Sequence, residues 1–145
     1  MIREFTMAAF PACRDLFIEV FNGAPWHDGW TKESAGARLW EFVENKRFVG
    51  FTLWEGDALI GAIFCHAQTY YRGDEIFIDE LFVSPGCQRK GYGRLLMEAV
   101  EAHAKAQGLV CITLLTNREY PSFEFFQGCG CRQAGRMVWM FKRVE

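Results

Sequence analysis

Apolar residues recur at Phe10, Cys13, Phe17, Val20 and Phe21 with the three- and four-residue spacing of one helix face, and the pattern stops at Asn22-Gly23-Ala24-Pro25. That spacing predicts a first helix over 10–21. After the loop Trp26-His27-Asp28-Gly29-Trp30, Thr31 offers an N-cap to a second helix, whose Ala35, Leu39, Phe42 and Val43 line one side and which ends at Lys46. The rhythm then changes to strands. Phe48 to Trp54 and Ala58 to Ala67 are joined by the tight turn Glu55-Gly56-Asp57, and after a second turn over 70–74 a third strand runs from Glu75 to Val83, broken by Ser84-Pro85-Gly86. Arg94 to Gln107 is the clearest helix: Leu95, Leu96, Ala99, Val100 and His103 share a face, Glu101 and Lys105 are spaced to pair, and Gly108 stands where a cap belongs. Val110 to Thr116 is a continuous apolar run, expected of a strand buried on both faces. Pro121 starts a short helix through Gln127, and Met137 to Val144 supplies a last strand.

The segment from Glu75 to Thr116 therefore reads as strand, helix, strand, a crossover joining parallel strands, and it follows an antiparallel hairpin. The expected fold is α/β: one mixed sheet, antiparallel in its N-terminal part, with a single parallel βαβ unit. No repeat, linker or low-complexity tract divides the chain, and its 145 residues suit one domain over 1–145.

Composition narrows the function. With 50% hydrophobic and 16% aromatic residues the chain has too much apolar surface to remain disordered. A formal charge of −2 gives no field to condense on nucleic acid or an anionic membrane, so neither is an expected partner. Glu4 and Pro11 spoil a signal peptide, no run is long enough to span a membrane, and the six cysteines fall mostly in apolar runs as small buried hydrophobes; a reducing cytoplasmic location is expected. Cys129-Gly130-Cys131 lacks a second ligand pair and His27, His66 and His103 are scattered, so no metal is expected.

Candidate chemistry concentrates in Gly86-Cys87-Gln88-Arg89-Lys90-Gly91-Tyr92-Gly93, between the third strand and the long helix. A glycine-rich turn feeding a helix N-terminus presents backbone N–H groups at the positive end of the helix dipole, and glycine lets a ligand approach that backbone closely. This is an anion site in design. A Rossmann fingerprint would need glycine where Leu96 stands, and a P-loop would need Lys-Ser or Lys-Thr after Gly91.

The run Ile78-Asp79-Glu80-Leu81-Phe82-Val83-Ser84-Pro85, then Gln88-x-x-Gly91-x-Gly93 and an amphipathic helix, resembles the acyl-CoA signature of the GNAT superfamily of N-acetyltransferases, whose core pattern is Gln/Arg-x-x-Gly-x-Gly/Ala. The resemblance extends over nearly the whole chain. It implies an enzyme that moves an acetyl group from the co-substrate acetyl-CoA directly to a primary amine of a small molecule or peptide, and it leaves a homodimer open. It also implies that the backbone from Gln88 through Arg89, Lys90, Gly91, Tyr92 and Gly93, with Arg94 beside it, holds the pyrophosphate. The pantetheine arm would lie where the Glu75–Val83 and Val110–Thr116 strands splay apart, pairing with the backbone of Phe82 and Val83. Asn117 matches a polar position that often contacts the same arm, although an asparagine there also suits a strand-end turn.

Acetyl transfer to an amine needs a group that takes the amine proton, because an alkylamine of pKa about 10 is almost fully protonated at neutral pH. Asp79 and Glu80 are the catalytic candidates. Adjacent strand residues face opposite sides, so only one looks into the cleft unless a bulge intervenes; Asp79 is preferred and Glu80 held in reserve. Trp26, Asp28 and Trp30 would suit a cationic acceptor, unless the two indoles simply anchor the loop to the core; Tyr71, with Tyr70 and Arg72, is a second rim candidate. One departure from the family concerns the leaving thiolate: where it commonly has Phe-Tyr, with the hydroxyl as general acid, this chain has Phe125-Phe126, leaving Tyr120, Cys129, water or unassisted departure. The alternative to an enzyme is a non-catalytic acyl-CoA-binding or sensing module on the same fold.

Overall fold

A computed structural model describes residues 1–145, which divide into two units, Met1–Leu115 and Thr116–Glu145. The first unit contains β1 (Ile2–Glu4), α1 (Phe10–Asn22), α2 (Lys32–Val43), β2 (Phe48–Glu55), β3 (Ala58–Gln68), β4 (Glu75–Val83), α3 (Tyr92–Gln107) and β5 (Cys111–Leu114). The strands form one five-stranded sheet in the order β1-β2-β3-β4-β5. Pairing is antiparallel from β1 to β4 and parallel between β4 and β5, so the hairpin and the crossover stand as the pattern predicts.

Local chemistry fixes the helices that matter for the site. Thr31 caps α2 through a full capping box: its Oγ1 accepts from the Ser34 N–H at 3.0 Å, while the Ser34 hydroxyl accepts from the Thr31 N–H at 2.9 Å. Helix α2 ends at Val43, short of Lys46. On its inner side Ala35 and Leu39 are fully buried, joining Cys13, Leu16, Phe17 and Val20 of α1 against Ala62, Phe64 and Phe82 of the sheet. Edge-on aromatic contacts knit this layer, with Phe17 and Phe82 at 5.6 Å and Phe5 and Phe64 at 5.2 Å between ring centroids.

Of the expected face, helix α3 buries Leu96 and Val100, adding Met97 and Ala104, while Leu95 is exposed. Its apolar residues fill two adjacent stripes, and packing selects the one rotated toward Met97. Gly108 ends α3 at φ 72°, a left-handed cap that suits glycine.

Three expectations are corrected. Residues 110–116 form a strand only over Cys111–Leu114, and none of it is fully buried; as the last strand of the sheet it has a neighbour on one side only. Among the cysteines only Cys13 and Cys65 are buried, and Cys111 is exposed on that edge strand. The second unit holds α4 (Pro121–Gly128), but Met137–Val144 forms no strand, and Met137, Val138, Trp139, Met140, Phe141 and Val144 are exposed. Apolar content records a need for cover; a strand also needs a hydrogen-bonding partner, which this segment does not have here.

The two supports of α2 should separate in energy. Leu39→Ala should cost about 2–5 kcal/mol of stability by opening a cavity in the core, whereas Thr31→Ala should cost about 1 kcal/mol by losing a cap. Urea unfolding of both variants checks this; equal losses would mean that α2 is held by its end rather than by its buried face.

Candidate active site

The ladder between β3 and β4 slips by one residue at the centre of the sheet. Phe64 lies opposite Glu80 and Cys65 opposite Ile78, so Asp79 is the extra residue of a β-bulge. Before the bulge, alternation sends Phe77 and Asp79 to the side of His66; after it, Glu80 and Phe82 share the face of Phe64, covered by α1 and α2. The bulge thus brings both adjacent carboxylates to one face, the exception that alternation allows.

Each carboxylate finds a different partner. Asp79 Oδ2 lies 2.7 Å from His66 Nδ1, with side chains 10% and 22% exposed respectively. Glu80 Oε1 accepts from Arg38 Nη2 at 3.1 Å, and Arg38 itself comes from α2 and stacks over Phe42 at 4.8 Å. Burial raises the Asp79 carboxyl above the ordinary carboxylate range, opposed by the hydrogen bond and charge of His66 and by the charge of Arg38. Burial raises Glu80 further, to about 7, against the pull of Arg38 and with added repulsion from Asp79 and Asp28. A carboxyl that titrates near neutrality, beside a second carboxylate, is suited to accept and release a proton.

The loop before α2 supplies a rim. Asn22 clamps it, donating from Nδ2 to the Trp30 carbonyl and accepting at Oδ1 from the Trp30 N–H, both at 2.9 Å. The Trp30 indole packs edge-on to Phe17 at 5.1 Å and donates to Asp28 Oδ2 at 3.0 Å, and Trp26 packs on Phe21 at 5.0 Å. Both indoles therefore anchor the loop to the core, and they leave the exposed Asp28 close enough for its charge to act on Glu80. Tyr71 is not brought to this group. It is exposed in the turn before β4, against Tyr70 and Arg72, and four extended residues from Glu75 to Asp79 already span about 13 Å.

Beyond the bulge β4 loses its outer neighbour. Pairing with β5 covers only Glu75–Ile78, while pairing with β3 continues to Val83, so the edge from Asp79 to Val83 has a strand on one side alone. The side chains of Phe82 and Val83 are buried, which leaves their backbone as the part that could meet a ligand there. Gln88 Nε2 donates to the Val83 carbonyl at 3.0 Å and ties the loop to the end of β4. Arg89 takes φ 63° and Gly91 φ 83°, and Gly91 is the N-cap of α3 without a side-chain cap. The N–H groups of Tyr92, Gly93 and Arg94 precede the first intrahelical bond, Leu95 N–H to the Gly91 carbonyl at 3.1 Å, and Lys90 is exposed beside them.

In the second unit Asn117 shapes a turn, its Oδ1 accepting from the Glu119 N–H at 2.8 Å, and Phe126 is buried in α4 against Phe125 at 5.1 Å. Sequence reasoning missed Arg38 and His66. Both left a trace: Arg38 is three residues after Ala35 and four before Phe42, beside the inner stripe of α2, and His66 continues the inward alternation of Ala62 and Phe64 with a polar ring.

Similarity to known proteins agrees with this geometry. Comparison with curated protein sequences finds no match. Among solved structures, AAC(6')-Iy in complex with the bisubstrate analogue CoA-S-monomethyl-acetylneamine superposes with a TM-score of 0.78 at 20% identity, covering 99% of this chain and 98% of that one. The apo aminoglycoside 6'-N-acetyltransferase AAC(6')-IG from Acinetobacter haemolyticus gives 0.78 at 15% identity, covering 100% and 99%. A transcriptional regulator from Bacillus halodurans C-125 gives 0.79 at 17% identity, covering 98% and 99%. At such identities these likenesses establish the fold. The sequence model of the acetyltransferase (GNAT) family matches residues 10–131, most of the chain, and with the bulged β4, its open edge and the glycine-rich start of α3 in place, the protein belongs to the acetyltransferase (GNAT) family.

Proposed function

We propose that the chain is an N-acetyltransferase that passes an acetyl group from acetyl-CoA directly to a primary amine of a small molecule or peptide. One observation carries this reading: β4 bears the Asp79–Glu80 bulge and then, from Leu81 to Val83, a backbone edge that no strand covers, leading to the glycine-rich start of α3. Acetyl-CoA fits the groups on offer. The Phe82 and Val83 backbone would hold its amide-containing arm, and the backbone of Gln88, Arg89, Lys90, Gly91, Tyr92 and Gly93, with the Arg94 charge, its diphosphate. When bound it supplies an activated thioester carbonyl.

The chain's own residues then have to manage a proton. Glu80 takes it from the acceptor ammonium, directly or through a water, because its carboxyl titrates near 7 while Asp79 is engaged by His66. Arg38 orients Glu80, and the charges of Asp28, held by the Trp30 indole N–H, and of Asp79 favour a cationic acceptor. The two buried thiols do not compete as nucleophiles. Burial holds the Cys13 thiol up to about 12, and burial together with the Asp79 charge raises Cys65 further, so both stay protonated. The names of AAC(6')-Iy and AAC(6')-IG, and the acetylneamine analogue held by the first, support amine acetylation.

A second reading, a non-catalytic acyl-CoA-binding module, is favoured by Phe126 in place of a hydroxyl donor and by the shared fold of the Bacillus halodurans regulator. Release of free CoA thiol from acetyl-CoA with a panel of aminoglycosides, polyamines and peptides separates the two; absence of thiol release with every amine in the panel favours the second.

Gly91→Val forces a β-branched residue into φ 83° and should weaken acetyl-CoA binding roughly tenfold or more, since a left-handed position costs about 1–2 kcal/mol for such a residue. Titration calorimetry on the folded variant checks this, and parent affinity would remove the loop from the cofactor site.

Glu80→Gln should lower kcat by about 10²–10⁴ and abolish the rise in rate with pH around 7. The sign for stability is opposite to that of an ordinary ion pair. A carboxyl held at about 7 when folded and near its ordinary 4.5 when unfolded keeps its proton longer in the native state, so stability falls as pH rises from about 4.5 to about 7. Denaturation across that window should show the decline in the parent and a flatter profile in Glu80→Gln.

A further inference from the structure

We propose that His66 is a positioning residue of this site: its imidazole Nδ1–H locks the Asp79 carboxylate in place as a fixed anion beside Glu80. The functional part of this inference rests on reading Glu80 as the proton acceptor; the physical coupling does not. Geometry carries it. Asp79 is the unpaired residue of the bulge, so its backbone has no Cα partner on β3 to hold its side chain in register. What fixes the carboxylate instead is a 2.7 Å contact to the ring of His66, and that ring is seated among aromatics, 5.6 Å from Phe77 and two residues from buried Phe64. An inward strand position flanked by Phe64 and Phe77 would pack better with an aliphatic or phenyl group, and the polar edge of an imidazole there is used by one carboxylate.

The charged and titratable groups around the pair come from every packed element. His66 meets Asp79 from β3, the neighbouring Cys65 thiol is near enough to feel its charge, Arg38 acts on both carboxylates from α2, and Asp28 acts on Glu80 from the loop before α2. Either the neutral imidazole with its proton on Nδ1 or the imidazolium can donate to Asp79, and donation favours the ionised carboxylate. Asp79, held as an anion, then repels the charge that Glu80 acquires on ionising. Without the donor, burial raises Asp79 further, so it stays protonated over more of the range in which Glu80 titrates and its repulsion on Glu80 weakens.

The test reads this coupling without any acceptor amine. In protein carrying 13C at its side-chain carboxyl carbons, the Glu80 and Asp79 resonances, assigned by difference from Glu80→Gln and Asp79→Asn, are followed against pH by NMR in the parent, His66→Leu, His66→Asn and Asp79→Asn. His66→Leu should move the Asp79 midpoint up and the Glu80 midpoint down, each by about one unit, and Asp79→Asn should move Glu80 down by a similar amount. His66→Asn should lie close to the parent, because the asparagine Nδ2 occupies the place of the imidazole Nδ1 and donates in its stead. An unmoved Glu80 midpoint in Asp79→Asn, or His66→Asn matching His66→Leu, overturns the proposal; if His66→Leu does not fold, the other two variants decide it. The acid limb of the thiol-release rate, measured on the same variants, separates this from the role of Glu80. Loss of that limb in Glu80→Gln with no shift in His66→Leu overturns His66 alone. Persistence of the limb in Glu80→Gln, with the NMR coupling intact, overturns Glu80 as the base and leaves His66 positioning Asp79.

Discussion

The one-residue slip between β3 and β4 is the constraint on which the site depends. A regular ladder would send Asp79 and Glu80 to opposite faces of the sheet, one toward α2 and one toward α3. With Asp79 as the bulged residue, both reach the face covered by α1 and α2, where His66 meets one and Arg38 the other. The same slip keeps Phe82 in register with the aromatic layer of Phe17 and Phe64, so the core beyond the bulge is packed as if the extra residue were absent. The bulge also coincides with the end of pairing to β5. A bulge bends its strand and adds local twist, which accords with a parallel neighbour parting from β4 at the same place where the carboxylate pair forms.

Placing two acids under a helix pair costs stability, and the surroundings only partly offset it. Glu80 is raised to about 7 despite a hydrogen-bonded guanidinium, so desolvation outweighs the attraction of Arg38. Arg38 is itself half-exposed, which keeps part of its charge in water and weakens its grip on Glu80. A fully buried, bidentate arginine would hold Glu80 permanently ionised and of little use as a proton carrier near neutral pH. The incomplete neutralisation is therefore the property that suits the residue to proton transfer, and the His66 contact opposes the same rise at Asp79.

Much of the fold was legible because it follows from local pattern. The hairpin, the crossover, the limits of α1 and β4 and the glycine cap of α3 each depend on residues close together in sequence. The errors have a common physical source: they concern what lies on the far side of an element. The place of Leu95 on the inner face of α3 and the doubly buried strand at 110–116 were inferred from apolar content, which cannot say which edge of a face meets the sheet or that β5 is the last strand. Met137–Val144 has strand composition without a partner. In the site, Asp79, Glu80, the glycine loop and Asp28 were named from residue type and resemblance. The bulge was allowed for but not located, because it belongs to the register of two strands rather than to either one, and with it went His66 and Arg38, whose partners are thirteen and forty-two residues away in sequence.

The two sides of the site differ in how they are built, and this bears on how they can change. The rim around Asp28 is wired into the core: Asn22 holds Trp30 through both of its backbone groups, Trp30 packs on Phe17, and the Thr31–Ser34 capping box fixes the start of the helix that carries Arg38. The loop from Gln88 to Gly93 is largely exposed and offers mainly backbone. A backbone cradle recognises a diphosphate whatever the neighbouring side chains are, provided that glycine stands where φ is positive, and so it can persist through extensive sequence change. A rim made of interlocked aromatics and charges cannot be altered one residue at a time without disturbing Phe17 or α2. With the roles proposed above, selectivity for the acceptor is tied to the stability of the core, and affinity for the cofactor is largely independent of it.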